Sequence, residues 1–122
     1  MRRLHLVAGI AALFIFLATG IYMRTHHPLV EENRLLFRSR HIYILSAALA
    51  NLLLGAYVRP AIRWMQWIGS VLLLLSPLLL VTAFIIEPVS GQPPGVFSRL
   101  GLYVLLAGTL LHTLATVSAP AA

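Results

Sequence analysis

The stretch WMQWIGSVLLLLSPLLLVTAFII, residues 64–86, contains no Asp, Glu, Lys or Arg. Its length lies within the ~17–25 residues that an α-helix needs to cross the hydrocarbon core of a bilayer. Similar uncharged runs occupy residues 4–23, 42–58 and 100–117. The sequence therefore predicts an all-α integral membrane protein, with four transmembrane helices in an antiparallel left-handed bundle.

The composition agrees with this class of protein. Hydrophobic residues make up 60% of the chain and charged residues 10%, whereas a soluble domain has roughly 45–50% and ~25%. Once four spans are placed, 122 residues leave no room for a second domain. We therefore predict a single domain, residues 1–122, with spans at about 4–23, 41–58, 64–86 and 97–117.

The reactive and charged residues exclude several functions. Cysteine is absent, which excludes disulfides, thiolate nucleophiles, iron–sulfur clusters and zinc–thiolate sites. All nine basic residues are Arg, the formal net charge is +6, and this charge lies in the termini and connections. Such charges set topology and contact anionic headgroups, and no basic surface for nucleic acid extends beyond the short loops. The predicted partner is the lipid bilayer.

The distribution of Arg also bears on topology. Arg2 and Arg3 precede the first span, which favours cytoplasmic termini in the inner membrane of a bacterium. The basic residues divide almost equally between the two sides, so a dual-topology protein is the alternative. Ala18 and Gly20 resemble a signal-peptide cleavage pair, but the apolar run exceeds the ~7–15 residues of a signal h-region. We therefore expect the first span to be retained.

Three connections join the predicted spans. In the longest, residues 24–40, Pro28 suits the first position of a helix, and Glu31 and Arg38 follow in an order that matches the helix dipole. A short interfacial helix is therefore expected there. Residues 59–63 form a tight turn, and the Pro- and Gly-rich residues 87–95 are expected to be a loop.

Small residues recur along the spans at a mean spacing of 3.5 residues. Such a repeat keeps one stripe of each helix facing its neighbours, and small side chains allow close approach in lipid. The positions are His5, Gly9, Ala12, Phe16, Thr19 and Met23; His41, Ala48 and Gly55; Gly69, Leu73, Ser76, Leu80, Ala83 and Glu87; Gly101, Leu105, Gly108, His112 and Ala115.

His112 is the most informative polar residue inside a span. An ionisable side chain at that depth is costly and usually faces the interior of the bundle. Because the first and fourth spans are antiparallel, His5 and His112 lie toward the same membrane face. This pair is the candidate for ligating one haem b; the alternative is a neutral imidazole that hydrogen-bonds another helix, with His5 at the interface.

The other polar residues suggest structural roles or a second site. Asn51 lies near mid-span, and with Ser76 it is predicted to hydrogen-bond in helix packing. His27, Glu31 and His41 are candidates for an extramembrane metal site, because His27 and Glu31 have the i, i+4 spacing that places two ligands on one helix face. A solvated loop is the alternative interpretation.

The sequence contains no arrangement of residues that carries a familiar reaction. No carboxylate lies inside a predicted span, which argues against a proton-coupled exporter of the small multidrug resistance type. No phosphate-binding glycine loop, Ser–His–Asp arrangement or zinc-protease motif is present. We therefore predict a small non-enzymatic membrane protein that oligomerises, or is an accessory subunit of a membrane complex, through its small-residue seams. The alternatives are a haem b or redox protein that uses His112 with His5, and a small dual-topology transporter or channel.

Overall fold

The structure, a computed structural model, describes residues 1–25, 31–57, 62–90 and 95–120. They form four helices: α1 Arg2–Thr25, α2 Glu31–Tyr57, α3 Arg63–Ser90 and α4 Val96–Val117. α1 packs mainly on α2, α4 packs mainly on α3, and α2 and α3 pack on each other. Within these described ranges, α1 and α4 have no close backbone contact. The prediction of an all-α four-helix bundle is confirmed.

Consecutive helices run antiparallel. Nε of Arg2, at the start of α1, donates to the carbonyl oxygen of Gly55, near the end of α2, at 2.8 Å. Asn51 of α2 lies level with Leu73 of α3, and Ser70 of α3 lies level with His112 of α4. The left-handed twist stays a prediction.

Three of the helices are long and apolar enough to span a membrane, namely Arg2–Thr25, Arg63–Glu87 and Val96–Val117. The protein is therefore a multi-pass membrane protein. In the described part of the chain α2 does not meet this criterion, so the prediction of four spans is confirmed for three. α2 is less apolar because residues 31–40 contain five charged side chains and because Asn51 interrupts the apolar run that follows.

Two expected connections are shorter than the sequence suggested, because helices extend into them. The separate interfacial helix is wrong: α2 begins at Glu31 and runs without a break to Tyr57, and no Pro lies within it to end it earlier. The loop expected from Glu87 is also wrong at its start, since α3 continues through Pro88 to Ser90. A proline removes one backbone donor, and contacts of Glu87 with α2 and α4 hold this last turn in place.

The small-residue stripes face the interior, as their spacing predicted. On α4 the buried residues are Ser98, Gly101, Leu105, Gly108, His112 and Ala115. The outward faces of all four helices carry large exposed apolar side chains, for example Phe14, Leu53, Leu78 and Leu110. An apolar exterior of this extent contacts the acyl chains of the bilayer.

Glycines set the distance between the helices of each tight pair. A Cβ atom on Gly108 would lie 2.7 Å from Cγ of Leu73 and 2.9 Å from the carbonyl oxygen of Gly69. A Cβ atom on Gly9 would likewise lie 2.8 Å from the backbone nitrogen of Leu52. Backbone atoms cannot move aside as a flexible side chain can, so any side chain here must separate the helices.

We expect Gly108→Val to destabilise the bundle by about 1–3 kcal/mol, the usual cost of overpacking, because α4 must move away from Gly69. Ala107→Val, on the exposed face of the same turn, is the matched control and should have little effect. Thermal unfolding of both variants in one mild detergent measures the difference. Equal melting temperatures would contradict close packing of α3 on α4.

Candidate functional site

Polar side chains are buried in the interior of the bundle among apolar ones, whereas the exterior is apolar. The buried polar residues are His5, Thr19, Arg40, Asn51, Ser70, Ser76, Glu87, Ser98 and His112. A polar group without a partner in the hydrocarbon region costs several kcal/mol, so these groups must be satisfied within the protein. Seven of them form two groups at opposite ends: the histidine cluster (His5, Asn51, Ser70, His112) and the carboxylate cluster (Arg40, Glu87, Ser98). Thr19 and Ser76 belong to neither group.

A proline in α3 creates the acceptor around which the histidine cluster forms. Pro77 has no backbone N–H, so it cannot donate to the carbonyl of Leu73, four residues earlier. Nδ2 of Asn51 donates to this oxygen at 2.9 Å, and Oγ of Ser76 does so at the same distance. Ser76, predicted as a polar packing residue, thus bonds within its own helix, whereas Asn51 joins α2 to α3.

The bonds of Asn51 determine which nitrogen of His5 carries the proton. Nδ2 of Asn51 also donates to the carbonyl oxygen of Ala47 at 2.9 Å, so both amide hydrogens are used. The remaining oxygen, Oδ1, lies 2.7 Å from Nδ1 of His5 and must accept from it. The other ring nitrogen, Nε2 of His5, has no hydrogen-bond partner in the described part of the chain, although the residue is only 1% exposed.

His112 faces the bundle interior, as the sequence predicted. It is buried, and its Nε2 lies 3.0 Å from Oγ of Ser70 on α3. Gly69 makes room for the ring, because a Cβ atom there would lie 2.9 Å from Cδ2 of His112. A cavity of about 280 Å³ adjoins both histidines; its lining is Met1, Arg2, His5, Arg63, Gln66, Trp67, Ser70 and His112.

The structure brings together the two histidines considered for haem. Their ring centres lie 6.0 Å apart at an interplanar angle of 81°. Two imidazoles bound to one metal at about 2 Å per nitrogen have ring centres roughly 6 Å apart. Nε2 of His112 is, however, bonded to Ser70, and ligation through this atom requires that bond to open. Haem ligation by this pair stays a prediction.

The carboxylate cluster ties three helices together at the other end of the bundle. Nε and Nη2 of Arg40 both lie 2.9 Å from Oε2 of Glu87. The backbone N–H of Ser98 donates to Oε1 of Glu87 at 2.9 Å, and its hydroxyl donates to Oε2. Gly95 lies so close that a side chain there would overlap this carboxylate. Removing one partner from such a buried pair typically costs about 3–5 kcal/mol.

Sequence reasoning did not identify this cluster. The Pro and Gly content of residues 87–95 predicts a loop that includes Glu87, outside any span, and no motif distinguishes Arg40 or Ser98. The available signal was the 3.5-residue repeat of α3, which includes Glu87 and therefore places its side chain on the buried stripe. A buried Glu requires a cationic partner, and Arg40 is the residue that the fold brings to it.

The predicted metal site is only partly within the described residues. His27 and the side chain of Glu31 lie outside them, so this site stays a prediction. His41 is half-buried; its Nδ1 lies 2.8 Å from Oγ1 of Thr19, and its ring stacks on Phe16 with centres 4.0 Å apart. In the ranges that the structure describes, no three side chains of metal-binding type lie together.

Comparison with known proteins does not extend these observations. No protein-family model, curated protein or solved structure matches the chain. Functional inference therefore depends on the geometry of the two clusters, the cavities and the apolar surface.

We expect Asn51→Leu to destabilise the protein by roughly 1–3 kcal/mol, because the Leu73 carbonyl loses an interhelical donor and Nδ1 of His5 loses its acceptor. Pro77→Ala restores a backbone N–H opposite Leu73. It should therefore stabilise the Asn51→Leu protein more than it stabilises the wild type. Reversible unfolding of the wild type, the two single variants and the double variant in micelles gives this double-mutant cycle. If the two changes in unfolding free energy are additive, Asn51 and the missing N–H of Pro77 do not act on the same Leu73 carbonyl.

Proposed function

We propose that the protein is a non-enzymatic, four-span membrane protein that acts as an accessory subunit of a larger membrane assembly. The observation that carries this proposal is the pairing of buried polar groups with one another between the helices. Asn51, His112, Arg40 and Glu87 are all engaged in contacts that join helices. Groups used in this way support a rigid structural element rather than a reaction site.

The position of α2 supports a fourth span. Arg40 of α2 meets Glu87 near the end of α3, and Gly55 of α2 meets Arg2 at the start of α1. α2 therefore covers the same height as two helices that are apolar enough to cross the membrane. Its polar side chains at Arg40 and Asn51 are buried, whereas Ile42, Leu49 and Leu53 are exposed. An outward apolar face with inward polar groups suits a helix within a bilayer.

Helices of the same chain occupy the small-residue seams, through which the sequence predicts that a partner binds. Gly9, Gly55, Gly69 and Gly108 are already packed against other helices of the same chain. A partner must therefore contact the outward apolar faces. The interior is filled by Ile44, Leu73 and Leu80, which are fully buried, and this disfavours the alternative of a transporter or channel within one chain.

Single-cysteine variants test the fourth span, since the natural chain has no Cys. We expect cysteines at Arg3, Arg63 and Ser118 to react with a membrane-impermeant maleimide from one side of sealed vesicles, and cysteines at Thr25 and Arg99 from the other. If α2 does not cross, the cysteine at Arg63 will react from the same side as that at Thr25. Labelling of every site from both sides would indicate dual topology.

Native mass measurement after extraction in mild detergent tests the role as a subunit. We expect a species that contains a second polypeptide and is therefore heavier than the 13.4 kDa chain. An unrelated tagged membrane protein of similar size, extracted in parallel, identifies polypeptides that are merely carried over. A strictly monomeric species without a co-purifying polypeptide would contradict the proposal.

A further inference from the structure

Arginines surround a cavity at the end of the bundle opposite the histidine cluster. This cavity has a volume of about 240 Å³ and lies between the end of α1 and the first turns of α2; its lining is Gly20, Met23, Arg24, Arg34, Phe37, Arg38 and His41. Arg24 and Arg38 are exposed and Arg34 is half-buried. The lining therefore contains three permanent positive charges and no acidic side chain among the described residues.

The chemistry of this lining matches a phosphate. Guanidinium groups present several N–H donors in a planar arrangement, and they bind phosphate oxygens in pairs. Five of the nine arginines lie at this end, Arg24, Arg34, Arg38, Arg40 and Arg99, together with all three acidic residues, Glu31, Glu32 and Glu87. Glu87 is bonded to Arg40. The remaining four arginines and two glutamates leave an excess of two positive charges at this end, which favours binding of an external anion.

An apolar groove lies beside this cavity, and the buried side chain of Phe37 forms a wall that both share. Phe37 lines both the basic cavity and a second cavity of about 300 Å³ between α1 and α3. Ile15 and Val81 line this second cavity and also a third, of about 320 Å³, which extends to Pro77. The groove exists because α1 packs mainly on α2 and touches α3 only lightly, and because alanines line its α1 side at Ala8, Ala11 and Ala18.

We propose that the basic cavity and the adjoining groove together bind one anionic phospholipid. Its phosphate lies among Arg24, Arg34 and Arg38, and one acyl chain lies in the groove between α1 and α3. The helix ends place the arginines where headgroups lie, and the groove runs from there toward the middle of α3, as an acyl chain does. A partner's helix in the groove would leave the three arginines without a role, which is why a lipid is the favoured occupant.

The test uses the full-length protein in nanodiscs of phosphatidylcholine that contain increasing amounts of phosphatidylglycerol. Retained lipid is measured by native mass spectrometry. We expect selective retention of one phosphatidylglycerol molecule. The double variant R34Q/R38Q should lower this selectivity on the order of 25-fold, since each basic residue near a membrane surface contributes about five-fold. The control R3Q/R99Q removes two exposed arginines outside the cavity and should keep the selectivity.

Further variants separate charge, groove and folding. R34K/R38K retains the charge and should keep most of the selectivity. Equal loss in the Lys and Gln variants at unchanged helicity would contradict recognition of the lipid by these charges. Ala18→Phe fills the groove and should weaken retention several-fold, whereas Ala107→Phe, exposed on α4, should not.

Three results would overturn the proposal. The first is equal retention of phosphatidylcholine and phosphatidylglycerol by the wild-type protein. The second concerns the detergent-solubilised protein: inorganic phosphate alone stabilises it as much as phosphatidylglycerol does, and Ala18→Phe does not change this effect. This result would show that the basic cavity binds free phosphate. The third is loss of a co-purifying polypeptide in the Ala18→Phe variant, combined with lipid retention that R34Q/R38Q does not change. This result would show that the groove binds a partner's helix rather than a lipid.

Discussion

The absence of water in the bilayer core is the constraint on which the arrangement of this bundle depends. Lipid offers no hydrogen-bond partner, so each buried polar atom needs one on another part of the protein. Asn51 meets this need by forming one hydrogen bond with His5 of α1 and another with the carbonyl oxygen of Leu73 of α3. His112 meets it through Ser70. Because these bonds are directional, they fix the register of all four helices, which apolar side chains alone specify only loosely.

Pro77 shows how a local defect in a helix becomes a specific contact. In water the carbonyl that it leaves unpaired would bind solvent, at little cost. Within a membrane that carbonyl of Leu73 is instead an acceptor that only a neighbouring side chain can use. Asn51 lies opposite it on α2, and Ser76 supplements the same oxygen. The proline therefore contributes to the pairing of α2 with α3, although it weakens the hydrogen bonding of α3 itself.

The two ends of the bundle differ in charge and in chemistry. The histidine cluster consists of two imidazoles, an amide and a hydroxyl, and Nε2 of His5 has no hydrogen-bond partner in the described residues. At the other end Arg40 is paired with Glu87, while further arginines surround an open cavity. A buried ion pair adds little net stability, because desolvation offsets the attraction, but it penalises any packing in which the partners are separated. It therefore contributes mainly to specificity.

Much of the fold was predictable from the sequence, and less of the candidate site. Uncharged runs determine the number and class of helices, and the 3.5-residue repeat determines their inward faces, because hydropathy and helical periodicity are local properties. This repeat also placed His112 in the interior. The ends of α2 and α3 were not predictable in this way, since propagation from Glu31 and the anchoring of Glu87 depend on neighbouring helices.

The sequence by itself determined that this is an all-α membrane protein with small and polar residues on its buried stripes, because each of these features follows from spacing along one helix. Only the tertiary structure decided which polar atoms meet. His5 joins Asn51, Arg40 joins Glu87, and three arginines surround one cavity. These partners are far apart in the chain, and their distances depend on how the helices pack, which no local pattern specifies.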